Sequence, residues 1–453
     1  MYSSSHTLDR LGVGFDDPHQ VANAGLLLPA TLAQHLGLRQ LVEYHLDLGE
    51  APGRANVGHK AMTLVHAMLA GGDSIEDAEV LRAGASQVVL GHAVLAPSTL
   101  GTFLRSFSFG HVRQLDAISR EALVRAWRAG MGPGEQPLTI DLDSTICETY
   151  GLLKQGVGFG YTKVRGYHPL LATRAETGEV LHSRLRGGSA HTARGAAGFL
   201  RETFARVRQA GATGLLVLRA DSGFYSKQVL TTCRQAKVRF SVTARLDQAV
   251  QRVIAGIPEE AWQPIPYWST SQGTFGYVQD GLPVSGADVA ECEYLAFGKK
   301  GLQLRLIVRR VRPTPGTQLA LFAEFGYHPF VTDRAGSTLE LEADHRAHAQ
   351  VETAIRDLKE GLGLAHLPSG RFAANAAWLA LAAMAHNLAR WVTGIGLGDQ
   401  LPARTTVDRL RRRLFSIPGR RTRSARQEHL HLPQGWPWAT LFLSALTKLR
   451  LLN

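Results

Sequence analysis

Three carboxylates stand where a chain can hold acids rigidly. Asp143 closes the stretch PLTIDLDST, Asp221 sits in LLVLRADSGFY, and Glu352 sits in HAQVETAIRDLKEGLGL. The first two fall at the ends of apolar, strand-like runs, and the third falls in a helical pattern. Mg²⁺ takes oxygen ligands and is held by a few carboxylates together with substrate phosphate. Two such ions sharing a carboxylate activate a water or a 3′-hydroxyl and stabilise the leaving oxygen. The three acids are therefore a candidate set for two divalent ions, Mg²⁺ or Mn²⁺. Lys and Arg number 50 against 38 Asp and Glu, a net charge of +12 with a pI near 9.9. A chain this basic favours a polyanion, and a nucleic-acid phosphodiester is the expected substrate.

Further residues could serve that substrate. Val351, Ile355, Leu358 and Leu362 form an apolar stripe at helical spacing. His345, His348, Glu352, Arg356 and Lys359 form an adjacent polar stripe, so an acid and several phosphate-binding side chains share one expected face. Between 404 and 426 the chain carries nine arginines and no lysine, with Arg411, Arg412 and Arg413 consecutive. Guanidinium groups match phosphate geometry, and these three are candidate DNA contacts.

The elements that must position these residues follow from hydrophobic period. In QPLTIDLDS, Leu138, Ile140 and Leu142 alternate with Asp141 and Asp143, the pattern of a strand. A hairpin turning at Thr177-Gly178, an amphipathic helix, the strand LLVLRADSG, a short helix and the strand VRFSVTARL follow. An acid at the end of the first strand and another just after the fourth match a ribonuclease H-like order, with ligands at the carboxyl ends of strands. The expected class is α/β: a ribonuclease H-like mixed sheet flanked by helices, with a mainly helical N-terminal domain and a β-rich insertion. The expected boundaries are 1–135 for a helical DNA-binding domain of helix-turn-helix type and 136–250 with 336–395 for the catalytic core. The insertion spans 251–335 and a basic C-terminal segment 396–453.

Three motifs carry a family resemblance. DLDST at 141–145 resembles the first-acid motif of DDE-type transposases of bacterial insertion sequences, and selects Asp143 over Asp141. LRADSGFYS at 218–226 resembles their second-acid motif. The third motif of the group with a β-strand insertion is Y-x2-R-x3-E-x6-K. Glu352 and Lys359 match it, while its Tyr and Arg positions are His345 and His348. The resemblance implies cut-and-paste transposition on double-stranded DNA, at terminal inverted repeats and at a target, by a homodimer at least. It also implies an insertion aromatic that stacks on a base flipped from a DNA hairpin; Trp268 and Trp262 are the candidates.

Other features bound the reading. Cys147, Cys233 and Cys292 lie far apart without zinc-type spacing, which suits a reduced, cytoplasmic protein associated with the nucleoid. The apolar stretch 373–392 holds Asn375, His386, Asn387 and Arg390 and reads as a core helix, so no membrane partner is expected. Two rival readings stand beside this one. DLDST also fits the first motif of haloacid-dehalogenase-type phosphatases, with Asp141 as nucleophile. A catalytically silent, DNA-binding relic is the other.

Overall fold

In a computed structural model, the described residues are 11–151, 153–160, 163–265, 277–279, 282–284, 286–312 and 325–452. The central feature is a nine-stranded sheet built from β1 (Leu138–Ser144), β2 (Leu170–Arg174), β3 (Val180–Arg184), β4 (Leu216–Ala220), β5 (Arg239–Thr243), β6 (Gln263–Pro264), β7 (Ala287–Ala296), β8 (Leu302–Val311) and β9 (Gly326–Thr332). Its order is β6-β7-β8-β9-β5-β4-β1-β2-β3. β1, β4 and β5 run parallel, and every other pairing in this sheet is antiparallel. The five strands β3-β2-β1-β4-β5 are the ribonuclease H-like core. The β2–β3 hairpin turns at Gly178, whose φ of +76° suits glycine.

Within the 251–335 segment, Tyr277–Gln279 and Leu282–Val284 pair with each other as a small sheet, while four other strands join the central sheet. β9 pairs with β5 through Thr332↔Ser241, and β8, β7 and β6 add outward from it. The insertion thus lengthens the catalytic sheet at its open edge. An edge strand exposes unpaired N–H and C=O groups, and the added strands satisfy those of β5.

Eight helices matter to the site: α1 (Val57–Ala70), α2 (Phe109–Ala126), α3 (Ala196–Ala210), α4 (Lys227–Gln235), α5 (Thr338–Arg346), α6 (Val351–Arg356), α7 (Phe372–Trp391) and α8 (Ala439–Arg450). α7 is buried nearly all round and packs against α1, α2 and β3. α1 is almost as buried, which leaves it no free face for a DNA groove. α8 packs on the helix Leu27–His35, and the strand Gln20–Val21 pairs with Gly419–Ser424. The N-terminal helices, the catalytic core and the C-terminal segment therefore share one hydrophobic core. The expected boundary at 395/396 falls inside the π-helical turn Val392–Leu397, and core packing runs on across it and across 135/136. Among the described residues no helix is long and apolar enough to cross a membrane.

Candidate active site

β1 and β4 run side by side in parallel register, with Leu142 opposite Ala220. Asp143 and Asp221 are the next residues on each, so the two carboxylates leave the same end of neighbouring strands. α6 packs against β1 and carries Glu352. A cleft lined by Asp143, Ser144, Thr145, Glu352, Arg356, Lys359 and Glu360 opens there. The carboxyls feel one another. Burial raises Asp143 from 3.8 to about 6; the Ser144 amide (2.6 Å) and His348 oppose the rise, and the charges of Asp221 and Glu352 add to it. Burial likewise raises Asp221, against hydrogen bonds from backbone amides, the first from Gly223 at 3.0 Å.

Among the described residues none of these three acids is ion-paired to a lysine or arginine. Carboxylates without a lysine or arginine partner, two of them partly desolvated and Glu352 exposed, suit a hard divalent cation. The donor set fits Mg²⁺ or Mn²⁺. The described side chains whose ligand atoms all lie within 4.8 Å of one another are Asp116, His182 and Glu202, elsewhere in the fold. That tighter group is not a metal centre, because Arg206 holds Asp116 at 2.6 Å while Arg184 and Arg113 hold Glu202 at 2.8 and 3.0 Å.

Asp141 plays a different part. It shares a strand face with Asp143 but lies two residues deeper and is fully buried. Its register partner across the parallel pair is Arg219, which donates from Nε at 2.8 Å and Nη2 at 2.9 Å. His348 Nδ1 donates to the same carboxylate at 2.8 Å. Burial alone would raise Asp141, yet these bonds outweigh it and hold its carboxyl below the ordinary value. A carboxylate fully buried and bonded on both oxygens in this way is not presented to a phosphoester as a nucleophile. Asp77 closes the stretch GDSIED at 72–77, which resembles the last acidic motif of those phosphatases, but it binds the Ser74 amide and hydroxyl and the Asp73 amide. The phosphatase reading is set aside on both counts. Sequence reasoning missed Arg219, although a charged residue inside the apolar run LLVLRAD demands a buried partner.

The polar stripe does not stay on one face. Between α5 and α6 the chain tightens into a 3₁₀ turn at Ala347–Gln350, and beyond α6 it widens into a π turn at Asp357–Gly361. These changes of pitch rotate the side chains apart. His345 turns inward, bonds Ser241 at 2.9 Å and Thr243 at 3.0 Å, and stacks on Phe330. Burial depresses it to about 3, so it is a neutral brace and not the expected phosphate ligand. Glu352, Arg356 and Lys359 remain together at the cleft. Lys359 Nζ also donates to the Ile146 carbonyl at 3.0 Å, tying the helix to the loop after Asp143. His168 accepts from the Ser144 hydroxyl at 2.9 Å and donates to the Ala190 carbonyl at 2.8 Å, a second brace on that loop that the sequence did not reveal.

A model described as transposase DDE domain group 1 matches residues 7–453. The chain belongs to that family. No curated protein matches this transposase. A cryo-EM structure of a piggyBac transposase synaptic complex with hairpin DNA is similar to it over 87% of this chain and 80% of that one, at 11% identity and a TM-score of 0.45.

The remaining expected DNA contacts of the transposase divide. Arg411 is turned into the protein, where it donates to the carbonyls of Leu69 (3.0 Å), Met68 (3.1 Å) and Gly361 (2.5 Å). It closes the C-terminus of α1, a structural role that takes three of its five N–H donors. Arg412 is exposed and paired with Asp408, four residues before it. Arg413 lies over the Trp438 ring at 5.2 Å. Trp262 is engaged by Arg310, whose guanidinium lies 4.4 Å from the centroids of both Trp262 and Phe325. Trp268 lies outside the described residues.

Proposed function

We propose that the transposase cuts and joins DNA at the inverted-repeat ends of a bacterial insertion sequence, as a homodimer that brings two ends together. The observation that carries this reading is that Asp143 and Glu352 line one cleft and Asp221 follows the end of the neighbouring parallel strand, none of them with a lysine or arginine partner among the described residues, in a chain of net charge +12. Two divalent ions bound there would supply activation of the attacking hydroxyl and relief of charge on the leaving oxygen. The chain's own residues do the rest. Asp143, Asp221 and Glu352 hold the cations. The Asp141–Arg219 pair fixes the His348 ring, whose charge opposes the upward shift of both cleft aspartates and whose Nε2 Asp141 leaves free. Arg356 and Lys359 bring positive charge to the phosphates. A lysine ammonium has three donors, so Lys359 keeps two beyond its bond to Ile146.

Hairpin formation at the cut ends belongs to the same reading, with Trp268 as the stacking aromatic. Trp262 is too engaged with Arg310 for that work. The test uses duplexes taken from the DNA on either side of the reading frame. The wild type nicks them in Mg²⁺ and not in EDTA, and Asp221→Asn binds them but does not nick. Nicking retained by Asp221→Asn overturns the assignment.

A further inference from the structure

The arginines near the C-terminus are not a tail. Residues Gly419–Ser424 (β10) and Gln427–His431 (β11) pair antiparallel into a hairpin. Its base is anchored to the body. Gly419 pairs with Val21, and an added Cβ there would come 2.7 Å from that of Ala24. Leu430 packs against the hydrophobic core. From Arg423 through His429 every residue is exposed, so the distal half projects into solvent.

The two faces differ. Alternation puts Arg421, Arg423, Glu428 and Leu430 on the side of the body, where Arg421 pairs with Glu428. The outer side carries Arg420, Thr422, Ser424, Gln427, His429 and His431. It contains no acid, and every member offers a hydrogen-bond donor. Thr422 and His431 are bonded to each other at 2.8 Å, as members of one face. Asp17, from the N-terminal segment, reaches Arg420 at 3.2 Å and is the acid that touches this surface.

The tip is unusual in its chemistry. Ser424 pairs with Gln427, which leaves a two-residue turn in which Ala425 (φ +46°) and Arg426 (φ +74°) both take positive φ. Asn-Gly or Gly-Gly is the usual choice for such a turn. Here a strained backbone presents a guanidinium at the tip.

We propose that this hairpin is a β-ribbon that enters the major groove of duplex DNA, with its outer face toward the base edges and Arg423 and Arg426 toward the flanking phosphates. The inference rests on the transposase reading and adds a second, non-catalytic contact to it. A two-stranded ribbon fits a major groove about 12 Å wide. At roughly 3.3 Å per residue the paired strands are roughly 16–20 Å long, enough to span several base steps. The donors and acceptors of Gln, Ser, Thr and His suit base edges, while Arg423 and Arg426 supply sequence-independent attraction.

Two full-length variants separate these roles, and both alter exposed side chains. The probes are a duplex from the DNA flanking the reading frame and a scrambled duplex of equal length. Arg423→Ala with Arg426→Ala should weaken binding to both duplexes alike and flatten the slope of log K against log salt by about 1.8. Gln427→Ala with His429→Ala should leave the scrambled duplex nearly unaffected but reduce preference for the flanking duplex, by roughly 5- to 150-fold for each base edge that the variant no longer reads. Dimethyl sulfate protection at guanine N7, a major-groove atom, should disappear in the same variant. If the wild type binds and nicks while both variants match it in preference, slope and protection, the ribbon contact is refuted and the transposase reading stands. If protection appears only at adenine N3, the groove assignment is overturned. If the wild type neither binds nor nicks, both fall.

Discussion

The cleft should weaken the metal-free fold, and the structure sets the size of the effect. A carboxyl whose folded pKa exceeds its unfolded value binds its proton more tightly in the folded chain. Stability then falls as pH rises through the window between the two values. For Asp143 that window runs from 3.8 to about 6. The change corresponds to about 3 kcal/mol as an upper value, and solvent screening of this partly exposed group leaves about 1–2 kcal/mol. Asp143→Asn removes the charge while keeping the shape. In EDTA at pH 7.5 it should therefore raise stability by about 1–2 kcal/mol, and the melting temperature of a chain this long by about 1–2 °C. Below about pH 4 the gain should vanish, because wild-type Asp143 is then protonated in both states. Mg²⁺ should narrow the difference: a cation at ten times its Kd stabilises the wild type by about 1.4 kcal/mol and the variant by less. The assay is thermal melting from pH 4 to 8, with EDTA or Mg²⁺. A variant that is less stable than the wild type in EDTA at pH 7.5 would refute the reasoning, since it would mean that the carboxylate is satisfied within the protein.

Asp221→Asn should lower strand cleavage by on the order of 10²–10³ or more while duplex affinity changes only a few-fold, measured by nicking and gel shift on the same protein. Asp141→Asn removes the doubly bonded counter-charge of buried Arg219, leaving it Asp344 at 3.3 Å, and should cost up to about 3–5 kcal/mol in urea denaturation, a larger loss than any change at Asp143. Arg411→Ala should destabilise the fold by about 2–4 kcal/mol, because it uncovers three carbonyls, and should leave the salt dependence of DNA binding unchanged. Ala425→Gly should relieve the positive φ at the hairpin tip and raise stability by about 0.5–1 kcal/mol, read by urea denaturation.

The acids are legible in the sequence because strand ends and spaced motifs are local signals. Alternation in PLTIDLDS puts Asp141 and Asp143 on one face, and the structure keeps them there. The difference in their roles is not local. It depends on Arg219 on the neighbouring strand and His348 on a distant helix, which parallel register and the α5–α6 crossing bring together. A uniform helical pitch places His345 beside Glu352; the 3₁₀ turn between them removes it from the cleft. The run of C-terminal arginines looks uniform because charge is visible in a sequence and direction is not. Arg411 points into the body and Arg426 out of it, and only the fold of the hairpin and of α1 separates the two. The 251–335 segment reads as strand-rich from LQLRLIVRRV and its neighbours. That its strands extend the core sheet is a long-range pairing that no local pattern encodes.

The most direct test of the central claim is to count divalent ions at the cleft. Electron paramagnetic resonance titration of Mn²⁺ into the protein with a flanking duplex should give two tightly held ions per chain in the wild type. Glu352→Gln, Asp143→Asn and Asp221→Asn should each lose at least one. Unchanged Mn²⁺ binding in all three variants would contradict the account.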